Sequence, residues 1–231
     1  VGVQTGDMGI SESGELKPGH EPGIEIRAKY TILGEGCRGH LGKQIINKYN
    51  LNDGKDPQHY GIGFKEVWKL DKNMHEPGLV IHTNGWPTSF DTPSGSYFYH
   101  GENNEAYIGY VIPLDYKNPH LSPFDEFQKW KTHPSIKKYL EGGERISYGA
   151  RALIKGGLQS LPKMEFPGGL LVGDNAGTLV FSKIKGSHTA MMSGLIAGEH
   201  IYESLQGNVA DTFDNKIKNS WIYKELHKSR N

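Results

Sequence analysis

Between Tyr60 and Leu114 the chain carries a succession of strand-like runs, and this stretch limits its fold more than any other feature. The runs are Ile62 to Trp68, Val80 to His82, Tyr97 to Tyr99 and Tyr107 to Ile112, rich in aromatic and β-branched residues. Turn residues separate them. Such a series predicts an antiparallel sheet of about four strands.

The flanks carry different patterns. Val1 and Val3 look like the end of a strand, and Gly6 to Gly23 is polar and turn-rich. Ile24, Ile26, Ala28, Tyr30 and Ile32 then alternate with polar positions, as a half-buried strand requires. That strand runs into Gly34-Glu35-Gly36-Cys37-Arg38-Gly39-His40, and Leu41, Ile45, Ile46 and Tyr49 predict a helix after it. Beyond the sheet, Ser122-Pro123 opens a helix, with Ser as N-cap and Asp125 and Glu126 in its first turn. Pro134 closes it, and Ser135 caps a short successor. Tyr148 to Leu153 reads as another strand, and Leu170-Leu171-Val172 as a buried one ending in Gly173-Asp174. Met191, Leu195, Gly198, Ile201 and Leu205 mark one face of a helix. Phe213, Ile217 and Trp221 mark the face of a last helix over residues 212–228.

Composition excludes several classes. The chain has 231 residues, enough for one large domain or two small ones. Lys+Arg and Asp+Glu both total 26, without the basic excess of a nucleic-acid binder. One cysteine, Cys37, rules out a disulfide or multi-cysteine metal site within the chain. No apolar run approaches the ~20 residues needed to span a bilayer. The chain starts at Val1 with no charged-then-apolar leader, and is expected to be a fragment beginning inside a hairpin.

Two glycine motifs can carry chemistry. The first is strand, Gly34-x-Gly36-x-x-Gly39, helix: glycines admit a ligand close to the backbone, and the helix start offers N–H groups to an anion. The alternative is a plain turn and helix cap. The second is Gly168-Gly169-Leu170-Leu171-Val172-Gly173-Asp174, followed by Lys183-Ile184-Lys185-Gly186-Ser187-His188-Thr189-Ala190. A buried strand delivers Asp174 to its end, where α/β ligand sites lie and where a carboxylate can accept ribityl hydroxyls. A helix starting near Ser187 would aim its positive end at the pyrimidine edge of a flavin. The alternative makes Asp174 and Ser187 turn and cap residues. His188 reads as structural, Cys37 as a packed small residue, and His82, His100 and His133 as structural or surface residues without metal-ligand spacing. No side chain is singled out as a catalytic acid, base or nucleophile.

Five segments together resemble the electron-transfer flavoprotein–ubiquinone oxidoreductase family. Tyr60-Gly61-Ile62-Gly63-Phe64-Lys65-Glu66-Val67-Trp68 resembles its Tyr-Gly-Ile-Gly-x-Lys-Glu-x-Trp signature. His82-Thr83-Asn84-Gly85-Trp86-Pro87, the run from Leu121 to Lys131, the run from Glu141 to Leu153 and the run from Lys183 to Met191 match as well. The likeness covers almost the whole chain. Flavin monooxygenases and prenyl reductases share the glycine contacts but lack the Ser-Pro-Phe-x-Glu-Phe-x-x-Trp helix. They stand as the alternative, beside a non-enzymatic quinone- or lipid-binding module.

The resemblance implies an α+β, FAD-binding flavoprotein fold of the hydroxybenzoate-hydroxylase/glutathione-reductase type with an antiparallel-sheet quinone-binding domain. Residues 1–59 and 156–207 would belong to the FAD-binding domain, residues 60–155 to the quinone-binding sheet, and residues 208–231 to an amphipathic helix. It implies electron flow from reduced electron-transfer flavoprotein through FAD and a 4Fe-4S cluster to ubiquinone. The place implied is the surface of the bacterial cytoplasmic membrane or the mitochondrial inner membrane. Gly34, Gly36 and Gly39 resemble the family's second FAD-contact loop; Gly173, Asp174, Gly186, Ser187, His188 and Thr189 resemble its ribityl and flavin-ring contacts. The quinone loop Tyr-Gly-Gly-Ser-Phe becomes Pro93-Ser94-Gly95-Ser96-Tyr97, which assigns the quinone to Ser94 and Gly95. A family Asn near the flavin is Ile154. The cluster's cysteines would lie beyond Asn231. Phe213, Ile217 and Trp221, with lysines around them, would touch the membrane, unless the stripe packs on the core.

Overall fold

The computed structural model describes residues 2–230, so Val1 lies outside the described residues. The chain divides into two compact units: Pro57–Lys155, and the sequence on either side of it, up to Asp56 and from Gly156.

The flanking unit begins with β1 (Gly2–Gln4), β2 (Met8–Ile10), β3 (Leu16–Glu21), β4 (Glu25–Arg27), β5 (Thr31–Leu33) and α1 (His40–Tyr49). β1 pairs with β4 and β2 with β3, both antiparallel. The polar Gly6–Gly23 stretch therefore holds a hairpin that period-2 patterning does not announce, because none of its residues is buried. The alternating run from Ile24 to Ile32 is not one half-buried strand. β4 pairs with β1 alone and leaves Ile24 and Ile26 in solvent, and the chain reaches the core only at Leu33.

The central unit comprises β6 (Tyr60–Lys69), β7 (Val80–Asn84), β8 (Gly95–His100), β9 (Glu105–Pro113), α2 (Pro123–Lys131), α3 (Pro134–Leu140) and β10 (Glu144–Ile154). It is a five-stranded antiparallel sheet, ordered β10-β6-β9-β8-β7, so the strand around Tyr148 joins the predicted sheet as its fifth member. Phe64 lies opposite Tyr110 and Ser96 opposite Tyr110 on the other side, which puts Ile62, Phe64, Phe98, Ile108, Tyr110 and Ile112 on one face. That face meets Phe127, Trp130, Ile136 and Leu140 of α2 and α3. Ser122 caps α2 by accepting from Asp125 N. The cap of α3 is His133, whose ring accepts from Ser135 N; Ser135, expected as the cap, sits inside the first turn because Pro134 already has helical geometry. Glu66, 3% exposed, is held between Lys131 at 2.9 Å, Arg145 at 3.3 Å and the Trp68 indole at 2.7 Å. Such a buried carboxylate needs every one of these partners.

The flanking unit resumes with β11 (Glu165–Phe166), β12 (Gly169–Leu171), α4 (Ser187–Leu205), α5 (Phe213–Asn219) and α6 (Trp221–Lys228). β12 runs parallel to β5 and antiparallel to β11. The buried face of α4 is Thr189, Ser193, Ile196, Ala197 and His200, whereas Met191, Leu195, Gly198 and Leu205 of the expected stripe are exposed and Ile201 of it packs against the core. Close packing explains the offset. A Cβ on Gly173 would sit 3.1 Å from the Cβ of Ala190, and Ser193 Oγ accepts from Gly173 N, so small residues are needed where the first turns of α4 pass Gly173.

The expected last helix is two. Ser220 is extended, and its hydroxyl accepts from Ile222 N to start α6. Across this break the four-residue spacing loses its meaning. Phe213, Ile217, Ile222 and Leu226 are buried in the core with Leu170 and Leu171, while Trp221 is left partly exposed against the His188 ring. Two of the three residues of the stripe expected at a membrane surface, Phe213 and Ile217, therefore face the core. Asp214 strengthens the docking by accepting from Met164 N and Glu165 N, against a burial that raises its pKa.

Candidate functional site

In the flanking unit, β5 and β12 are parallel neighbours, so the glycine motifs that follow them emerge at one edge. The first motif spends its anion-binding capacity internally. Glu35 folds back so that its carboxylate accepts from Leu41 N at 3.2 Å and Gly42 N at 2.7 Å. The helix N–H groups expected to await an anion already hold one. Gly36 supplies the left-handed turn, with φ +87°. Gly39 supplies close approach: a Cβ there would lie 2.2 Å from Asn175 Nδ2 and 2.4 Å from Glu35 Oε2. Gly34 lies beside Val172, joining the two motifs.

The second motif is built differently. Gly173 turns the chain with φ +58°, and Asp174 comes to lie against Gly186, whose Cβ position would be 3.4 Å from Asp174 Oδ1. Gly186 is the N-cap of α4, which has no side-chain cap and no acidic residue in its first turn. By contrast α2, α5 and α6 start on serine or threonine caps. α4 therefore starts without a capping side chain of its own, with the Asp174 carboxylate beside its positive end. Asn175 Oδ1 and Thr178 Oγ1 are buried in the turn after Asp174 without a hydrogen-bond partner among the described residues. The edge thus combines a carboxylate, unsatisfied buried oxygens and a helix N-terminus. It suits a hydroxyl-rich chain with a group that takes up negative charge.

Within α4, Thr189 Oγ1 donates to Gly186 O at 2.8 Å and closes the first turn. Ser187 is exposed. The His188 ring turns away: it stacks on Trp221 and pairs through Nε2 with Glu225 at 3.0 Å. Lys183 also binds Glu225, and these two partners, Lys183 first, lower its pKa.

In the central unit the two faces of the sheet differ. The helix side is filled. Ser94 belongs to it: its hydroxyl donates to Gly85 O at 2.9 Å, accepts from Tyr110 at 2.7 Å and meets Thr88 at 2.6 Å. Burial raises the Tyr110 pKa, so this network stays protonated at neutral pH. Gly95 is the next residue and, by strand alternation, faces the other side with Tyr97, Tyr99, Tyr107, Gly109 and Val111. No helix of this unit covers that side. Tyr97 lies flat over Gly109, where a Cβ would come within 2.3 Å of Tyr97 Cζ. Tyr97 stacks on Tyr99 at 4.8 Å, and Tyr99 shares a 3.2 Å hydrogen bond with Nε2 of exposed His82. Neither His82 nor the tyrosine row stands out in the sequence, because register across β7, β8 and β9 assembles them. Among the described residues no group of three or more His, Cys, Asp or Glu could hold a metal ion, and no helix is long and apolar enough to cross a membrane.

Comparison with known proteins follows the same division. Residues 60–153 match the family model described as ETF-QO, ubiquinone-binding. The whole chain aligns with the electron transfer flavoprotein-ubiquinone oxidoreductase of Pseudomonas aeruginosa PAO1 at 56% identity and covers 43% of that protein. The mitochondrial protein of that name from Sus scrofa is 50% identical, with 39% of its length covered. The chain thus spans about two fifths of the curated relatives it matches. A geranylgeranyl bacteriochlorophyll reductase-like protein from Thermoplasma acidophilum superposes with TM-score 0.67 over 90% of this chain and 49% of its own, at 16% identity. The chondrochloren halogenase CndH, described as a variant of FAD-dependent halogenases, gives 0.53 over 99% of this chain and 47% of its own, at 17% identity. These two likenesses are of fold: the mixed α+β architecture of FAD-dependent enzymes.

Proposed function

The chain belongs to the electron transfer flavoprotein–ubiquinone oxidoreductase family, and from that premise we propose that it serves an oxidoreductase passing electrons from reduced electron-transfer flavoprotein through FAD to ubiquinone. One observation carries the reading. The stretch that matches the ubiquinone-binding family holds the sheet whose second face no helix of that unit covers, with Gly95 on it and a row of tyrosines beside it. A flat head group needs a floor without side chains and aromatic walls to stack on.

FAD would be held at the edge where β5 and β12 end. Asp174 would accept ribityl hydroxyls, and the N-terminus of α4 from Gly186 to Thr189 would face the ring edge that gains negative charge on reduction. Gly34, Gly36 and Gly39 would contribute close backbone approach rather than anion binding. When bound, FAD supplies the redox chemistry; the chain's own residues orient it and set the electrostatics around it. A 4Fe-4S cluster does not fit this chain, since it takes four thiolates and only Cys37 is present. Ubiquinone resides in lipid, so the proposal includes peripheral association with the bacterial cytoplasmic or mitochondrial inner membrane. Phe213 and Ile217 of the expected stripe are buried and are not its contact.

The test is Gly95→Phe in the flavin-loaded, full-length protein. Ubiquinone reduction should fall by more than tenfold while flavin reduction by electron-transfer flavoprotein continues at its normal rate. Equal loss of both half-reactions, or of neither, would remove the quinone from this face.

A further inference from the structure

We propose that the groove between α2 and the edge strand β10 is a binding site for a flat aromatic carboxylate, on the opposite face of the sheet from the one assigned to ubiquinone. The strand itself makes the space. In Tyr148-Gly149-Ala150 only Tyr148 has bulk, and Ala150 stands opposite Phe64 of β6. Tyr148 stands opposite Glu66, so by strand alternation Phe64, Glu66, Tyr148 and Ala150 share the helix side. α2 packs against β6 and β9 but does not cover β10, where every residue from Glu144 to Ala152 is exposed. What remains is a cavity of about 380 Å³ whose walls include Phe64, Phe124, Phe127, Tyr148, Glu66 and Arg145. Sites for small molecules have this size.

The apolar part of the cavity is made of rings. Phe64 stacks on Phe127 with centroids 6.1 Å apart and meets Phe124 edge-on at 6.1 Å. Phe124 is 50% exposed and Tyr148 78%, so both offer ring surface that the unit leaves uncovered. Aromatic walls of this kind take up a flat ring by offset and edge contacts.

The polar end sets the charge of the ligand. The buried Glu66 carboxylate is already satisfied: Lys131 donates to both its oxygens at 2.9 Å and the Trp68 indole donates at 2.7 Å. Lys131 is spent there, with its ammonium over the Trp68 and Phe127 rings. Arg145 adds a single 3.3 Å bond to the same carboxylate. Two cations therefore meet one carboxylate, and the surplus positive charge falls on the more exposed partner, Arg145. Lys65, the remaining charged residue lining the cavity, is also a cation. The Arg145 guanidinium lies 5.0 Å over the Tyr148 ring, and among the described residues only one of its five N–H donors is used. A stacked, planar guanidinium with free donors matches a carboxylate bidentately. A flat apolar body with one negative, planar head group meets both halves of the cavity.

Calorimetric titration of the full-length, flavin-loaded protein with 2-naphthoate tests this. Binding should saturate at one ligand per chain, with Kd on the order of 1 mM or tighter for so small a molecule. Naphthalene-2-carboxamide, of the same shape but uncharged, should bind more weakly by at least about tenfold. Arg145→Gln should weaken naphthoate on the order of 10- to 100-fold and remove the difference between acid and amide. Ala150→Phe fills the space beside Phe64 from an exposed position; it should block both ligands with the melting temperature unchanged. Phe124→Ala, at a half-exposed side chain, should weaken acid and amide alike, which keeps the test decisive if Arg145→Gln disturbs the Glu66 cluster. Absence of saturable binding, equal affinity for acid and amide, or binding untouched by Ala150→Phe would overturn the site. Displacement of naphthoate by ubiquinone-1 would overturn it as well, by placing the ligand on the other face of the sheet.

Discussion

Replacing Phe213 by Ala separates a core role from a membrane role for the end of the chain. Phe213 is fully buried at the start of α5, packed in the same core as Leu170, Ile217 and Ile222, and its ring lies 5.8 Å from the His200 ring. Removing a buried ring costs about 3–5 kcal/mol, lost transfer energy plus the cavity left behind. The upper half of that range applies here, because α5 is tied down on both sides of the gap. Asp214 is bonded to the backbone of Met164 and Glu165, and Phe213 N donates to Glu165 at 2.7 Å, so the site cannot collapse freely. For a chain of this size, each 1 kcal/mol moves the melting temperature by roughly 2–4 °C, which gives a fall of about 8–20 °C. Differential scanning calorimetry reads it, with liposome flotation of the folded protein alongside. Flotation should be unchanged. A melting temperature within about 2 °C of the parent, together with release from liposomes, would refute the core assignment and return the stripe to the membrane.

Two further outcomes follow from the sites. Asp174→Ala in the full-length protein should weaken FAD binding by about 1.5–3 kcal/mol, seen as flavin lost on gel filtration, because a charge-assisted acceptor is removed; full retention at unchanged affinity would exclude Asp174 from the site. His100 is buried against His75 and Tyr139, and burial, then His75, lowers its pKa. The unfolded chain therefore binds this proton first, so stability is fully present above about pH 6.5 and declines as pH falls from there toward the folded-state value. Thermal melts of the parent should show that decline between about pH 7 and pH 5, and His100→Asn should flatten it.

How much the sequence disclosed depended on whether local chemistry or tertiary pairing decided each element. The central strands and the start of α2 were legible, because β-branched runs, turn residues and a Ser-Pro cap act locally. The start of α4 at Ser187 and the turn at Gly173-Asp174 were legible for the same reason. Glu35 was not: a carboxylate reaching forward to cap α1 looks like any exposed acid until the chain folds back. The faces of α4 and the α5–α6 pair were misjudged because apolar periodicity alone took bulky residues as the inward ones. At α4 the close approach to Gly173 selected Ala190 and Ser193 instead. The site proposed on the sheet is only partly legible. The loop pointed to Ser94 and Gly95, yet strand alternation turns Ser94 inward, and the tyrosines and His82 are joined only through the register of three strands.

Photolabelling with an azido-ubiquinone tests the central claim most directly. In the full-length, flavin-loaded protein, the principal cross-links should fall on β8 and β9 at the open face, at Tyr97, Tyr99 or Val111 and their neighbours, and should be displaced by unlabelled ubiquinone. Cross-links concentrated on α2 and α3, or wholly outside residues 57–155, would contradict the assignment of this sheet face to ubiquinone.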